Sequence, residues 1–142
     1  MKRYKFRLEQ VLRVRRMEEE QARASLLAAN AELNRAGERL RDRTERYHTM
    51  VAPIGPSQLT EFLAWRQRHQ AAATAVIDAG TAVESANVHA AERRDGWSAA
   101  AARVTALERL DERRRAEHAA EAEREFDQEI DDLVTSRHGR RM

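Results

Sequence analysis

Pro53-Ile54-Gly55-Pro56 is the strongest break in the chain, and it separates two long runs of one seven-residue repeat. Before it, Leu12, Leu26, Leu33, Leu40 and Tyr47 share one register, accompanied by Leu8, Ala22, Ala29 and Ala36. After it, Phe62, His69, Val76, Val83, Ala90, Trp97 and Val104 share another, accompanied by Trp65, Ala72, Ala79, Ala86, Arg93, Ala100 and Leu107. Two heptad helices joined by one tight break predict a long antiparallel two-helix coiled-coil hairpin, an all-α fold. Such a fold offers surfaces, not an enclosed pocket.

The expected boundaries treat residues 1–142 as a single hairpin. Helix one runs over about 4–50, the tip over 51–57 and helix two over about 58–136. Proline removes an amide donor and Gly55 permits positive φ, so the break is well specified. Ser57 or Thr60 is the expected cap of helix two, with Glu61 suited to its first turn. Arg15, Glu19 and Arg43 interrupt the first seam and mark where it would open. Asp95-Gly96 resembles a turn, but the register passes through it from Ala90 to Trp97 and Val104 without a slip, so helix two is expected to continue.

Pairing outward from the break places Tyr47 near Phe62 and Leu12 near Trp97. Helix one is then used up near residue 105, and about 30 residues of helix two overhang, roughly 45 Å. The old register ends after Leu110. A new apolar stripe of Ala119, Ala122, Phe126, Ile130 and Leu133 follows out of phase. A helix with an apolar stripe and no partner in its own chain implies another protein, self-association or a fold-back.

Charge is organised in blocks. Net charge is only +2, and the basic side chains are 24 Arg and 2 Lys. Residues 1–16 carry seven basic side chains and one Glu, whereas residues 117–132 carry eight acidic groups and one Arg. Arg137, Arg140 and Arg141 make the end basic again. Elsewhere Arg alternates with Glu and Asp at helical spacing, the pattern of a solvated coiled-coil face rather than of a phosphate-binding surface.

No chemistry-bearing constellation emerges. The glycines are isolated, the five histidines (48, 69, 89, 118, 138) are scattered, and there is no cysteine for a disulfide or thiolate site. Glu45 and His48 have the i,i+3 spacing of di-metal bundles but lack the other ligands those sites need. The chain reads as a non-enzyme with no cofactor and no metal. The basic start leads into no apolar stretch of signal-peptide length, and no run approaches the roughly 20 apolar residues of a membrane span. A cytoplasmic protein is expected.

The two ends resemble one family. Phe6-Arg7-Leu8-Glu9-Gln10-Val11-Leu12 is similar to the "F-x-L-x-x-V-L" opening of FliJ proteins, the coiled-coil component of the flagellar type III export apparatus. Glu112-Arg113-Arg114-Arg115, then Glu129-Ile130-Asp131-Asp132-Leu133-Val134 and Arg137, resembles the family's "ERRR … E-L-D-E-L-A … R" ending. Arg43, Arg46 and Arg66 depart from the pattern, standing where the family is commonly apolar or aromatic.

The resemblance implies a stalk-like coiled coil that binds the hexameric export ATPase, promotes its assembly and activity, and couples it to the cytoplasmic part of the export gate. It also implies a possible escort role with export chaperones, no nucleic acid, and a place peripheral to the inner face of the plasma membrane. The ATPase-facing residues it implies are Phe6, Leu8, Val11 and Leu12 with Glu129, Asp131, Leu133 and Arg137; the stripe adds Phe126 and Ile130. The gate-facing residues at the tip are Phe62 and Tyr47. The rival readings are a structural coiled coil that self-associates through the stripe and a basic rod that binds nucleic acid.

Overall fold

The computed structural model describes residues 3–55 and 58–139, with the side chain of His138 set aside. Pro56, Ser57, Arg140 and Arg141 lie outside the described residues, so the Ser57 cap and the last two basic residues are not placed. Two helices, α1 (Glu9–Thr49) and α2 (Leu59–Gly139), pack against each other as an all-α hairpin. No strand occurs among the described residues.

The break behaves as its residues require. Residues 50–54 are outside any helix, and Gly55 turns the chain at φ 109°, a backbone region that side chains disfavour. Helix α2 starts one residue beyond Gln58, whose carbonyl accepts the amides of Glu61 (3.0 Å) and Phe62 (3.3 Å). Thr60 therefore lies inside the first turn and does not cap it. Glu61 sits in that turn, where its charge suits the helix dipole. Helix α2 then continues for 81 residues, straight through Gly96.

The chain divides into two compact units. The unit of residues 20–98 contains the break. In it Leu26, Ala29 and Ala36 from α1 and Ala90 from α2 are the buried core. Both seam registers are legible in the burial: Leu33, Leu40, Tyr47, His69, Val76 and Val83 are half-buried on the same faces. Small residues dominate the fully buried set, which is what close helix approach requires. Arg43 is exposed, and Thr44 takes the inward position beside it, its hydroxyl donating to the Leu40 carbonyl at 2.8 Å.

The unit of residues 1–19 and 99–142 contains both ends, with Leu12 and Ala100 as its buried core. The expected opening of the seam at Arg15 and Glu19 does not occur here. Both are half-buried, and Arg15 folds along its own helix to Glu18 at 2.8 Å.

Two expectations are corrected in this unit. Helix one was expected from about residue 4, but α1 begins at Glu9. Residues 3–6 are non-helical and alternate in burial, with Tyr4 and Phe6 half-buried and Arg3, Lys5 and Arg7 exposed. A run with basic residues at 3, 5 and 7 is a poor first helical turn, because cations oppose the dipole there. The Phe6 carbonyl accepts the Glu9 amide at 3.2 Å and closes the entry turn.

The second correction follows from the first. Pairing does not end near residue 105, because this non-helical strap carries it further along α2. Asp111 and His118 are half-buried one and two heptads beyond Val104. The seam register therefore continues past Leu110 on polar residues. Beyond Ala122 every described side chain of α2 is exposed, so the overhang is shorter than the pattern of apolar residues implied.

Candidate protein-interaction surfaces

In the unit containing both ends, Tyr4 fastens the strap. Its hydroxyl donates to Asp111 Oδ1 at 2.7 Å. Asp111 Oδ2 accepts from Arg115 at 3.1 Å, and the Arg115 guanidinium lies 5.4 Å from the Tyr4 ring centroid. The His118 ring meets Tyr4 edge-on at 5.6 Å. One aromatic side chain is thus held by a carboxylate, a cation and a second ring, all from successive turns of α2. Burial raises the Tyr4 pKa above its ordinary value of 10.0, and the hydrogen bond to Asp111 and that residue's charge raise it further.

This clasp has a pH dependence whose sign is fixed. A raised pKa means that the protonated phenol favours the folded state, so the contribution is complete below pH 10 and is lost as pH rises through the folded value. Tyr4→Phe keeps the ring and removes the donor. Hydrogen exchange of the amides of residues 4–8 is expected to quicken in this variant at neutral pH. In the wild-type chain the same quickening, beyond the intrinsic rate, is expected only above pH 10.

Clefts flank the strap. The larger, about 550 Å³, is lined by Tyr4, Phe6 and Leu12 and by Arg3, Lys5 and Arg13, with Glu9 and Asp111 also in its lining. A smaller one of about 330 Å³ lies between the strap and α2 at Leu110 and Arg114. Arg16 reaches across to Glu108 at 3.0 Å, an exposed pair of small energetic weight.

The residues singled out at this end fall into three groups. Leu12 is 6% exposed and belongs to the core, so its side chain holds the two helices together. Phe6 is half-buried in the strap, while Leu8 and Val11 are exposed beside it. On the overhang, Phe126, Ile130 and Leu133 are exposed, and so are Glu129, Asp131 and Arg137. At 100° per residue Phe126, Ile130 and Leu133 lie on one face. Val134, which the pattern did not single out, is exposed near them.

In the unit containing the break, four rings form a ladder. Tyr47 lies 4.7 Å from His69, His69 stacks on Trp65 at 4.9 Å with 21° between planes, and Phe62 lies 6.0 Å from Trp65. Phe62 is 45% exposed and ends the ladder, whereas Tyr47 is half-buried against His69. Tyr47 thus faces His69 rather than Phe62. The Trp65 indole nitrogen is buried without a hydrogen-bond partner among the described residues, so the ring is held by stacking. The heptad placed His69 and Trp65 on the seam, but only their spacing of four with Tyr47 opposite shows that they stack.

Among the described residues no group of three His, Asp or Glu side chains is placed to hold a metal ion, and no helix is long and apolar enough to cross a membrane. Comparison with known families gives one decisive result: the family model for the flagellar FliJ protein matches residues 4–142. The chain belongs to the FliJ family. FliJ proteins are structural components of the flagellar export apparatus, and the match begins at the residue that fastens the strap. Comparison with curated proteins and with solved structures finds no match to the chain.

Proposed function

We propose that this FliJ-family chain works by protein contact as the stalk of the flagellar type III export apparatus. The unit bearing both ends binds the hexameric export ATPase and promotes its assembly and activity. The unit bearing the break contacts the cytoplasmic part of the export gate, with Phe62 at the exposed end of its ring ladder and Tyr47 at the other end. Export chaperones are further partners. The chain is placed at the inner face of the membrane by the apparatus it joins rather than by a span of its own.

The observation that carries this reading is the exposed stripe of Phe126, Ile130 and Leu133, past the last paired residues of α2, in a chain of this family. Large apolar side chains on a highly charged helix gain by burial against a partner. Phe6, Leu8 and Val11 extend the apolar surface of the same unit. Acidic Glu129 and Asp131 beside the stripe and Arg137 beyond it supply the rim that selects orientation.

The combined substitution Phe126→Ala and Ile130→Ala is expected to leave the helical circular dichroism signal unchanged, because both side chains are exposed. It is expected to weaken capture of the purified export ATPase by roughly tenfold or more, the scale of interface anchors. Undiminished capture would remove the stripe from the interface.

A further inference from the structure

The same unit carries two surfaces of opposite charge that its own geometry keeps apart. The first is the larger cleft beside the strap. Arg3, Lys5 and Arg13 line it, and none of the three has an ion-pair partner among the described residues. Tyr4, Phe6 and Leu12 also line it, and its five basic side chains outnumber its two carboxylates, Glu9 and Asp111. The second is the overhang, where Glu123, Glu125, Asp127, Glu129 and Asp131 are all exposed and likewise unpaired among the described residues, with Arg124 the one cation among them. Phe126 and Ile130 lie among these carboxylates, 58% and 42% exposed.

Each surface has what the other lacks. The cleft offers an excess of cations beside Tyr4, Phe6 and Leu12, and the overhang offers an excess of carboxylates around an apolar stripe. They cannot meet within one chain, because α2 is a continuous helix through Gly139 and carries its acidic face away from the strap at about 1.5 Å per residue. We propose that two copies of this chain associate reciprocally, each laying its acidic overhang into the basic cleft beside the other's strap.

The arrangement closes by symmetry. The overhang lies just beyond the strap along α2, so two α2 segments set antiparallel bring each overhang beside the other copy's strap. The contact is isologous, made twice and ending at a dimer. It covers the Phe126 and Ile130 surface, so the dimer and the complex with the export ATPase are mutually exclusive. On the proposed function, the chain is stored with its binding surface closed and released when a stronger partner takes the stripe.

The test uses the full purified chain alone, so its outcome is independent of whether the export ATPase binds the stripe. Sedimentation equilibrium is expected to show a monomer–dimer equilibrium. Its dissociation constant should rise at least tenfold between about 50 mM and about 500 mM sodium chloride, since screening shortens the range of these charges. Two charge-reversed variants separate the surfaces: Glu123→Arg with Glu125→Arg on the overhang, and Arg3→Glu with Arg13→Glu in the cleft. Each alone should be monomeric, with helical content preserved by circular dichroism.

Mixed in equal amounts, the two variants should recover the dimer. In the mixed pair the reversed overhang meets the reversed cleft, and the native overhang meets the native cleft. A monomer at every salt concentration would overturn the proposal. So would a dimer indifferent to salt, a mixture that fails to recover association, or a species that grows beyond a dimer.

Discussion

Leu12→Ala is expected to lower the free energy of unfolding by about 2–3 kcal/mol, the low end of the range for truncating a buried leucine. Leu12 is 6% exposed and, with Ala100, forms the buried core of the unit that bears both ends. A two-helix interface is thin, so neighbouring side chains relax into part of the space, and this places the cost at the low end. The neighbouring Val11→Ala is the control. Val11 is 42% exposed, and its truncation is expected to change stability by less than about 0.5 kcal/mol. Urea denaturation followed by circular dichroism separates the two. Both residues fall in the opening motif, yet they face different ways. If Leu12→Ala proved neutral and only Val11→Ala destabilised the chain, the register at the start of α1 would be wrong by one residue.

The seam was legible in the sequence because heptad spacing of Leu, Val and Ala is a direct trace of burial. The registers built on Leu26, Leu33 and Leu40 and on Val76, Val83 and Ala90 are the faces that pack. The continuity of α2 through Gly96 followed from the same phase argument. What the pattern missed was the strap. Its signal is a period of two over very few residues, Arg3, Tyr4, Lys5, Phe6, Arg7, and a helical reading of the basic start hides it. Its partners are polar: Asp111 and His118 keep the heptad phase of Val104 but carry no apolar side chain. A register followed through apolar residues alone therefore stops at Leu110, although the pairing does not. A phenol seeking a carboxylate and a ring seeking a ring are interactions that hydrophobic periodicity does not encode.

The surfaces were legible unevenly for a related reason. Phe126, Ile130 and Leu133 stood out because they form a stripe with nothing in register opposite, and they are exposed. The opening motif drew Leu12 into the same group as Phe6, Leu8 and Val11, although the heptad itself had already assigned Leu12 to the seam. Where a motif and a period compete for one residue, the period is the better guide to side-chain direction, because it follows from helix geometry. At the other unit, Tyr47 was expected opposite Phe62 and instead meets His69, about two turns further along α2. Non-helical residues in the break separate the two helices, and the pairing passes over the nearest ring.

Ala90→Leu is expected to destabilise the chain by about 1–3 kcal/mol, lowering the melting temperature by roughly 3–10 °C. This sign is the reverse of what a simple heptad view gives, in which leucine on a seam strengthens a coiled coil. The difference lies in the residues that are fully buried. In the unit containing the break, Ala90 is 1% exposed and Ala36 2%, more buried than any large side chain of either seam. The helices there are close enough for a methyl group to fill the gap, and the larger side chains lie at its edges. A leucine at position 90 has no free volume to occupy, so it must leave its preferred rotamer or push the helices apart and expose the flanking Val83 and Trp97. Ala91→Leu is the matched control, because Ala91 is exposed on the same turn and leucine has good helix propensity, so almost no change is expected. Thermal unfolding of the pair decides between close and loose pairing. A rise in melting temperature for Ala90→Leu would show that the seam has slack and that its alanines do not set the helix separation.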